Sequence, residues 1–515
     1  MKKAVLAAVT AAAVAVAALV PSGPAVQAAV KAATQHSEPR GFGSALSSVE
    51  QPSWQTNASV NAVAVAGDLV FAGGLFTRIR PPGKARGVGD APRKYFAVFN
   101  RTTGAPTRFA PSVNGPVWST AASPDGRRVV IGGDFTVVDG VPRSRVAMFD
   151  VATGKLVAGW DPVVNYRVAA LKVTASTVYL GGSFGAVDKI ARARLAAVAL
   201  STGALLPWNP GADDDVHAIE VSTDGTRVFV GGGFTTIGGR NQHALAMLNA
   251  RTGAVLPMPA AAAIPPVSDE CDSRVKDLEV QGDKVFASNA GTNSMQCYDG
   301  VLAANSTTGK LLWQSKCLGA TEAIVAIGNW LYKGSHAHDC SADGEFPDKT
   351  GMHHLLVYST ITGKLGPWFP NTDAGGTTLV GPLAFASGGN DLWAGGDFTT
   401  VNGKPQEGLT RFTGVPGGAA PARPAAPKVA SARPNKVTIA FATVLDRDNL
   451  TLTYLVYRGN TRIGSWSRTS NSWTRPTVTS VTDSGLTSGQ TLSYHVEVSD
   501  GRNLTKGPAT TVKVR

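Results

Sequence analysis

Short runs in which apolar and polar residues alternate recur along most of the chain, each closed by turn formers. One stretch shows the pattern in full. Residues 216–221 (Val-His-Ala-Ile-Glu-Val) alternate, Ser222-Thr223-Asp224-Gly225 turns, and residues 227–230 alternate again. A period of two places successive side chains on opposite faces of a strand. Asp-Gly between two such runs is a hairpin signal, because glycine tolerates positive φ. Residues 245–248 supply a third strand, Arg251-Thr252-Gly253 a turn, and residues 255–258 a fourth.

The four-strand unit repeats. Thr-Gly recurs at Gly104, Gly154, Gly203, Gly253, Gly309 and Gly363, at intervals of 50, 49, 50, 56 and 54 residues. Ahead of it, Gly-Gly-x-Phe recurs with Phe76, Phe135, Phe184, Phe234 and Phe398, and two degenerate copies fall near residues 286–291 and 332–334. Four short strands every fifty residues predict propeller blades. The glycine motif counts seven of them over residues 46–412. The seventh lacks a fourth strand, and residues 46–57, with Trp54 where other modules carry Trp160 or Trp208, can fill the gap. Closing the ring with both chain ends removes an exposed edge. The Thr-Gly glycine is expected in the left-handed region of a turn. The paired glycines are expected where neighbouring backbones approach closely. Both motifs read as scaffold.

Gly-Gly-x-Phe with Thr-Gly-x-Leu, over residues 46–412, resembles the secreted bacterial propellers of the Delta-60 repeat group, a family of unknown biochemical function. The resemblance implies an exported binding or scaffolding role and hands over no catalytic residue.

Composition agrees with an ordered all-β chain: 43% hydrophobic residues argue against disorder, and 58 Gly with 31 Pro imply many turns. The net charge of +12 favours anionic partners such as acidic glycans or polyphosphates of a cell envelope. Arginine is scattered, and no tight basic block resembles a nucleic-acid arm. Lys2 and Lys3, the apolar residues 4–20 and Val26-Gln27-Ala28 read as a secretory signal over residues 1–28, cleaved after Ala28. No hydrophobic tail precedes Arg515, so a secreted, extracellular monomer without a membrane span is expected.

Residues 413–427 read as a Pro/Gly/Ala linker. Residues 428–515 resemble a fibronectin type III domain, through alternating strands and a tyrosine-corner-like stretch ending at Tyr494, whose hydroxyl would bond back to the backbone. The family's usual tryptophan on the second strand is replaced by Phe441. Trp466 and Trp473 are expected in core or edge packing, with sugar platforms as the alternative.

Candidate chemistry gathers in two loops. Cys271 and Cys297 flank the first two strands of blade five, and Cys317 and Cys340 occupy the same places in blade six. Four cysteines allow three connectivities, and the repeat favours Cys271–Cys297 and Cys317–Cys340. Blade six also holds His336, His338, Asp339, Asp343, Glu345, Asp348, His353 and His354. His336, His338, Asp339 and His353 form the candidate set for a divalent metal. Residues 77–94 of blade one hold Arg78, Arg80 and Arg86 among six basic residues against Asp90 alone. In a seven-blade ring both loops flank blade seven, so these arginines and the blade-six set could rim one ligand basin, or neutralise each other. The leading expectation is a non-catalytic protein that binds an extracellular polysaccharide, cell-wall polymer or protein through one propeller face. Two enzymatic readings compete. Residues 302–313 resemble a repeat of pyrroloquinoline-quinone dehydrogenases, though in this blade alone and without an adjacent Cys pair. Asp339, Asp343 and Glu345 could serve a glycan lyase or hydrolase, but nothing fixes their separation.

Overall fold

The computed structural model describes residues 45–291, 297–347, 351–375, 380–414, 418–449, 451–469 and 478–515. Among them every regular element is a strand, apart from two short 3₁₀ turns at Pro259–Ala263 and Ser341–Asp343. The proposed signal sequence lies outside the described residues. The repeat becomes a series of antiparallel sheets whose first strands are Val60–Ala66, Val117–Ala122, Val168–Val173, Val216–Val221, Ser273–Gln281, Thr321–Ile327 and Gly381–Ser387. Each first strand packs against the next, and Gly381–Ser387 packs against Val60–Ala66. The sheets, numbered one to seven in chain order below, therefore stand in a ring of propeller type.

The glycine pair sets the spacing of that ring. A Cβ on Gly231 would collide with Val275 of the next sheet, and one on Gly232 with the carbonyl oxygen of Asp215. The same collision is avoided between Gly73 and Val117, Gly132 and Val168, Gly181 and Val216, and finally Gly395 and Val60, where sheet seven meets sheet one. Close packing at each seam thus needs the missing side chain. The phenylalanines of the motif, Phe76, Phe135, Phe184, Phe234 and Phe398, are at most 1% exposed. Their carbonyl oxygens accept the N–H of Tyr95, Arg145, Arg194, Ala244 and Gly408, just before each third strand. The Thr-Gly glycines sit at φ of 66–77°, in the left-handed region their turns require.

The segment ahead of sheet one meets sheet seven. The N–H groups of Ser47 and Gln51 donate to the carbonyl oxygens of Thr413 and Arg411, at 3.0 and 2.8 Å. Ser53, rather than Trp54, stands against Gly104, in the place where Trp160 meets Gly203 and Trp208 meets Gly253. Trp54 packs half-buried against the core of sheet one. The tryptophan that serves the closing segment is Trp368, whose Nε1 donates to the Ser47 carbonyl at 3.2 Å.

The C-terminal region pairs a three-stranded sheet (Lys428–Arg433, Lys436–Ala442, Val478–Ser484) with a larger one built on Thr451–Arg458 and Thr491–Ser499. Phe441 fills the core against Tyr454, with ring centroids 5.5 Å apart. The Tyr494 hydroxyl donates to Asp483 Oδ2 at 2.7 Å, not to a backbone carbonyl, and Asp483 also takes Arg458 at 3.1 Å. A charged acceptor beside the strand has displaced the expected backbone partner. Trp466 packs partly buried against this core, while Trp473 lies outside the described residues.

The loop at residues 444–449 reaches back to the ring. Asp448 Oδ2 accepts from the Ser48 N–H and hydroxyl, both at 3.1 Å, and the Phe369 N–H donates to the Arg447 carbonyl at 3.0 Å. The Arg447 guanidinium donates to Asn402 Oδ1, and Asn402 Nδ2 in turn donates to the Ser48 carbonyl at 3.0 Å. The tail therefore clasps the segment that closes the ring. Among the described residues no helix is long and apolar enough to cross a membrane.

Candidate functional site

The basic loop of sheet one is tied down by carboxylates that the sequence had not paired with it. Arg80 is buried, and its Nη2 donates to Glu407 Oε2 at 2.6 Å and Gln55 Oε1 at 3.0 Å, while Nη1 reaches the Thr56 carbonyl at 3.1 Å. Arg86 donates to the same Glu407 carboxylate, and Arg78 to Asp90 at 3.3 Å. Neutralisation thus comes from Glu407 of sheet seven and from Asp90 within the loop. Arg80 and Arg86 lock sheet one to sheet seven.

The blade-six cluster is likewise built into its loop. His336 Nε2 accepts the Ala320 N–H at 3.3 Å, and burial lowers the pKa of its ring. Asp339 Oδ1 accepts the Ser341 N–H at 2.9 Å, and the His338 backbone N–H donates to the Leu318 carbonyl at 3.0 Å. The His353 ring lies 4.2 Å from Phe346, and burial pulls its pKa to about 4. Asp343 accepts from the Ser315 hydroxyl at 2.6 Å and from the Lys316 N–H at 2.9 Å. Among the described residues no three His, Cys, Asp or Glu side chains gather to hold a metal ion, so the set His336, His338, Asp339 and His353 is not brought together as a ligand shell. Asp348 lies outside the described residues.

The disulfides are Cys271–Cys297 and Cys317–Cys340. Their place in the repeat has a polar counterpart. In sheets one to four and seven, Asn57, Asn114, Asn165, Asp213 and Asp373 lie ahead of the first strand and accept backbone N–H groups from the loop after the second. The two disulfides join the corresponding segments of sheets five and six, so the covalent bond replaces the side-chain staple. Cys271→Ser/Cys297→Ser is expected to cost about 2–3 kcal/mol. Denaturant unfolding of the variant, with non-reducing peptide maps of the wild type, checks both the cost and the pairing.

A surface the sequence did not single out lies on the same side of sheets two and three. Tyr166, Val163, Ile190 and Val141 are 57, 51, 53 and 42% exposed. Beside Tyr166, the Arg167 guanidinium stacks 4.5 Å from the centroid of the Trp118 ring. Asp134 accepts from Trp118 Nε1 and Arg167 Nη2, both at 2.7 Å. The Arg167 and Trp118 hydrogen bonds hold the Asp134 carboxyl below its ordinary pKa although burial raises it. The stack fixes two flat groups and one anion at the surface.

At the other end of the first strands the ring forms a cavity of about 530 Å³ that opens to solvent. Lys172, Glu220 and Glu279 line it from sheets three, four and five, and Ala64, Ala121, Val325 and Phe385 line it from the rest. Lys172 Nζ pairs with Glu220 Oε1 at 2.7 Å. Behind Glu279, Asp277 accepts the N–H groups of Ile324 at 2.9 Å and Leu278 at 2.8 Å, and burial raises its pKa to about 7.

Lys333 is a further charged group the sequence did not flag. It is wholly buried on the second strand of sheet six, where the other sheets carry Ala72, Ile131, Leu180, Val230, Ala287 and Ala394. Its Nζ has no hydrogen-bond partner among the described residues and lies 5.5 Å from the Tyr358 ring centroid.

No protein-family model matches this chain, and no curated protein matches it. Among solved structures, one titled "Crystal Structure of Mitotic Checkpoint Complex" is similar over 78% of this chain and 98% of its own, at 14% identity and a TM-score of 0.46.

Proposed function

We propose that this protein is a secreted, non-catalytic binding protein: a seven-bladed propeller of the Delta-60 type, closed by its N-terminal strand, with a fibronectin type III-like tail. Its ligand is an extracellular polysaccharide, cell-wall polymer or protein. The seven first strands in a ring and the three-plus-five division of the tail strands support the two fold assignments. The exposed Tyr166 beside the Trp118–Arg167–Asp134 stack carries the functional reading. A flat aromatic surface with a fixed carboxylate and guanidinium suits stacking and hydrogen bonding to a sugar or peptide. The candidate carboxylates for hydrolysis are instead spent on loop bonds, as at Asp343 and Asp339.

The test is co-sedimentation of the full chain with insoluble cell-wall polysaccharide and peptidoglycan. Tyr166→Ala and Trp118→Ala are each expected to weaken capture about tenfold or more, and His336→Ala to leave it unchanged. Equal capture by the wild type and both aromatic variants would overturn the assignment of this face.

A further inference from the structure

The central cavity has a lopsided wall. At one register position of the first strand, directly opposite Phe71, Val130, Tyr179, Phe229, Phe286, Tyr332 and Trp393 on the second, the seven sheets carry Ala64, Ala121, Lys172, Glu220, Glu279, Val325 and Ala386. Four are small or aliphatic. The other three are charged and adjacent, and Asp277 adds a fourth charge two residues before Glu279. One cation thus faces three acidic side chains and hydrogen-bonds Glu220; among the described residues no side-chain cation hydrogen-bonds Glu279, whose carboxyl burial pushes up to about 8. Glu279 Oε1 lies 3.4 Å from the Ala326 nitrogen, longer than a good hydrogen bond. Thr120, whose buried hydroxyl oxygen has no hydrogen-bond partner, lines the same space. A volume of about 530 Å³ falls in the range of small-molecule sites, and the exposed lining here is more polar than apolar.

We propose that this cavity binds an organic cation, with an ammonium or guanidinium head against Glu279 and Glu220 and an aliphatic body against Ala64, Ala121, Val325 and Phe385. A cationic head favours the ionised form of Glu279, which burial alone disfavours. A bare divalent ion fits poorly, since no three of the described acidic or His side chains converge on one point. The cavity lies at the end of the first strands remote from Tyr166, so this site and the proposed polymer-binding face stand or fall separately.

Calorimetric titration of the full chain with hexylammonium chloride, against 1-hexanol and hexanoate, tests the inference. Hexylammonium is expected to bind at least about tenfold more tightly than hexanol, and hexanoate not to bind. Glu279→Gln should weaken hexylammonium at least about tenfold. Lys172→Met should strengthen it by releasing Glu220, a gain that a damaged fold would not give. Three results would overturn the site: no hexylammonium heat from folded wild type, hexanol binding as tightly as hexylammonium, or unchanged affinity in Glu279→Gln. Displacement of hexylammonium by calcium at equal concentration would also overturn it, in favour of a metal.

Discussion

Trp368→Ala is expected to lower the unfolding free energy by about 3–5 kcal/mol, the usual cost of deleting a buried aromatic. Trp368 is fully buried, with its ring edge-on to Tyr332 at 4.8 Å and to Phe412 at 5.2 Å. It also holds the closing segment through the Ser47 carbonyl, beside Tyr332, whose hydroxyl accepts the Leu46 N–H at 2.7 Å. The variant should therefore show a second effect: faster proteolytic cleavage between residues 45 and 57 under native conditions. Denaturant titration and limited proteolysis measure the two separately. A variant that is destabilised but not cleaved faster would show that Trp368 packs sheets six and seven without fastening the strand.

Lys333→Met is expected to do the reverse and raise stability by about 3 kcal/mol at pH 7. Burial is the largest influence on this amine and lowers its pKa from 10.5 to about 8, against weak attraction from Asp299 and Asp343. Each pKa unit corresponds to about 1.4 kcal/mol between the two protonation states. The folded chain holds the neutral amine more readily than the unfolded chain does. As pH falls from about 10.5 to 8, the unfolded state takes up a proton that the folded state does not, and stability is lost. Below about 8 both states are charged and the penalty is constant. Wild type should thus gain on Lys333→Met as pH rises from 8 to 10.5, with the two curves converging at the alkaline end. Parallel curves across that range would mean that Lys333 finds a partner when charged.

The ring was legible in the sequence because its demands fall on the backbone. Gly231 cannot carry a side chain against Val275, and Gly253 must take a left-handed φ, so both positions print glycine at a fixed period. The cysteine pairing was legible for the same reason, since period alone places Cys271 and Cys317 alike. The basin was not, because its charges are settled by tertiary neighbours. Arg86 and Glu407 are 321 residues apart, and nothing local in either segment announces the other. Lys172, Glu220 and Glu279 read as solvent-facing positions of alternating strands, and only ring closure turns that face inward. A signal was present: each stands at the same register position, opposite Tyr179, Phe229 or Phe286, as Ala64 and Ala121 do opposite Phe71 and Val130. The Asn57 to Asp373 staples were missed in the same way, as single polar residues in variable loops whose partners lie across a strand pair.

The closing bonds also impose an order of events on a newly made chain. Ser47 finds Thr413 across 366 residues, and Ser48 finds Asp448 across 400. At synthesis rates of roughly 5–20 residues per second, the first strand waits on the order of 20–70 s before its partner exists. Sheets one to six can zip up against each other as they emerge, since each hairpin is local and each seam joins neighbours in sequence. Until residue 395 is available, however, Val60 has no Gly395 to pack against, and sheet one presents an open flank. The N-terminal segment is therefore the first part made and among the last to be placed, and the slow, long-range step of folding is the one that the tail afterwards locks.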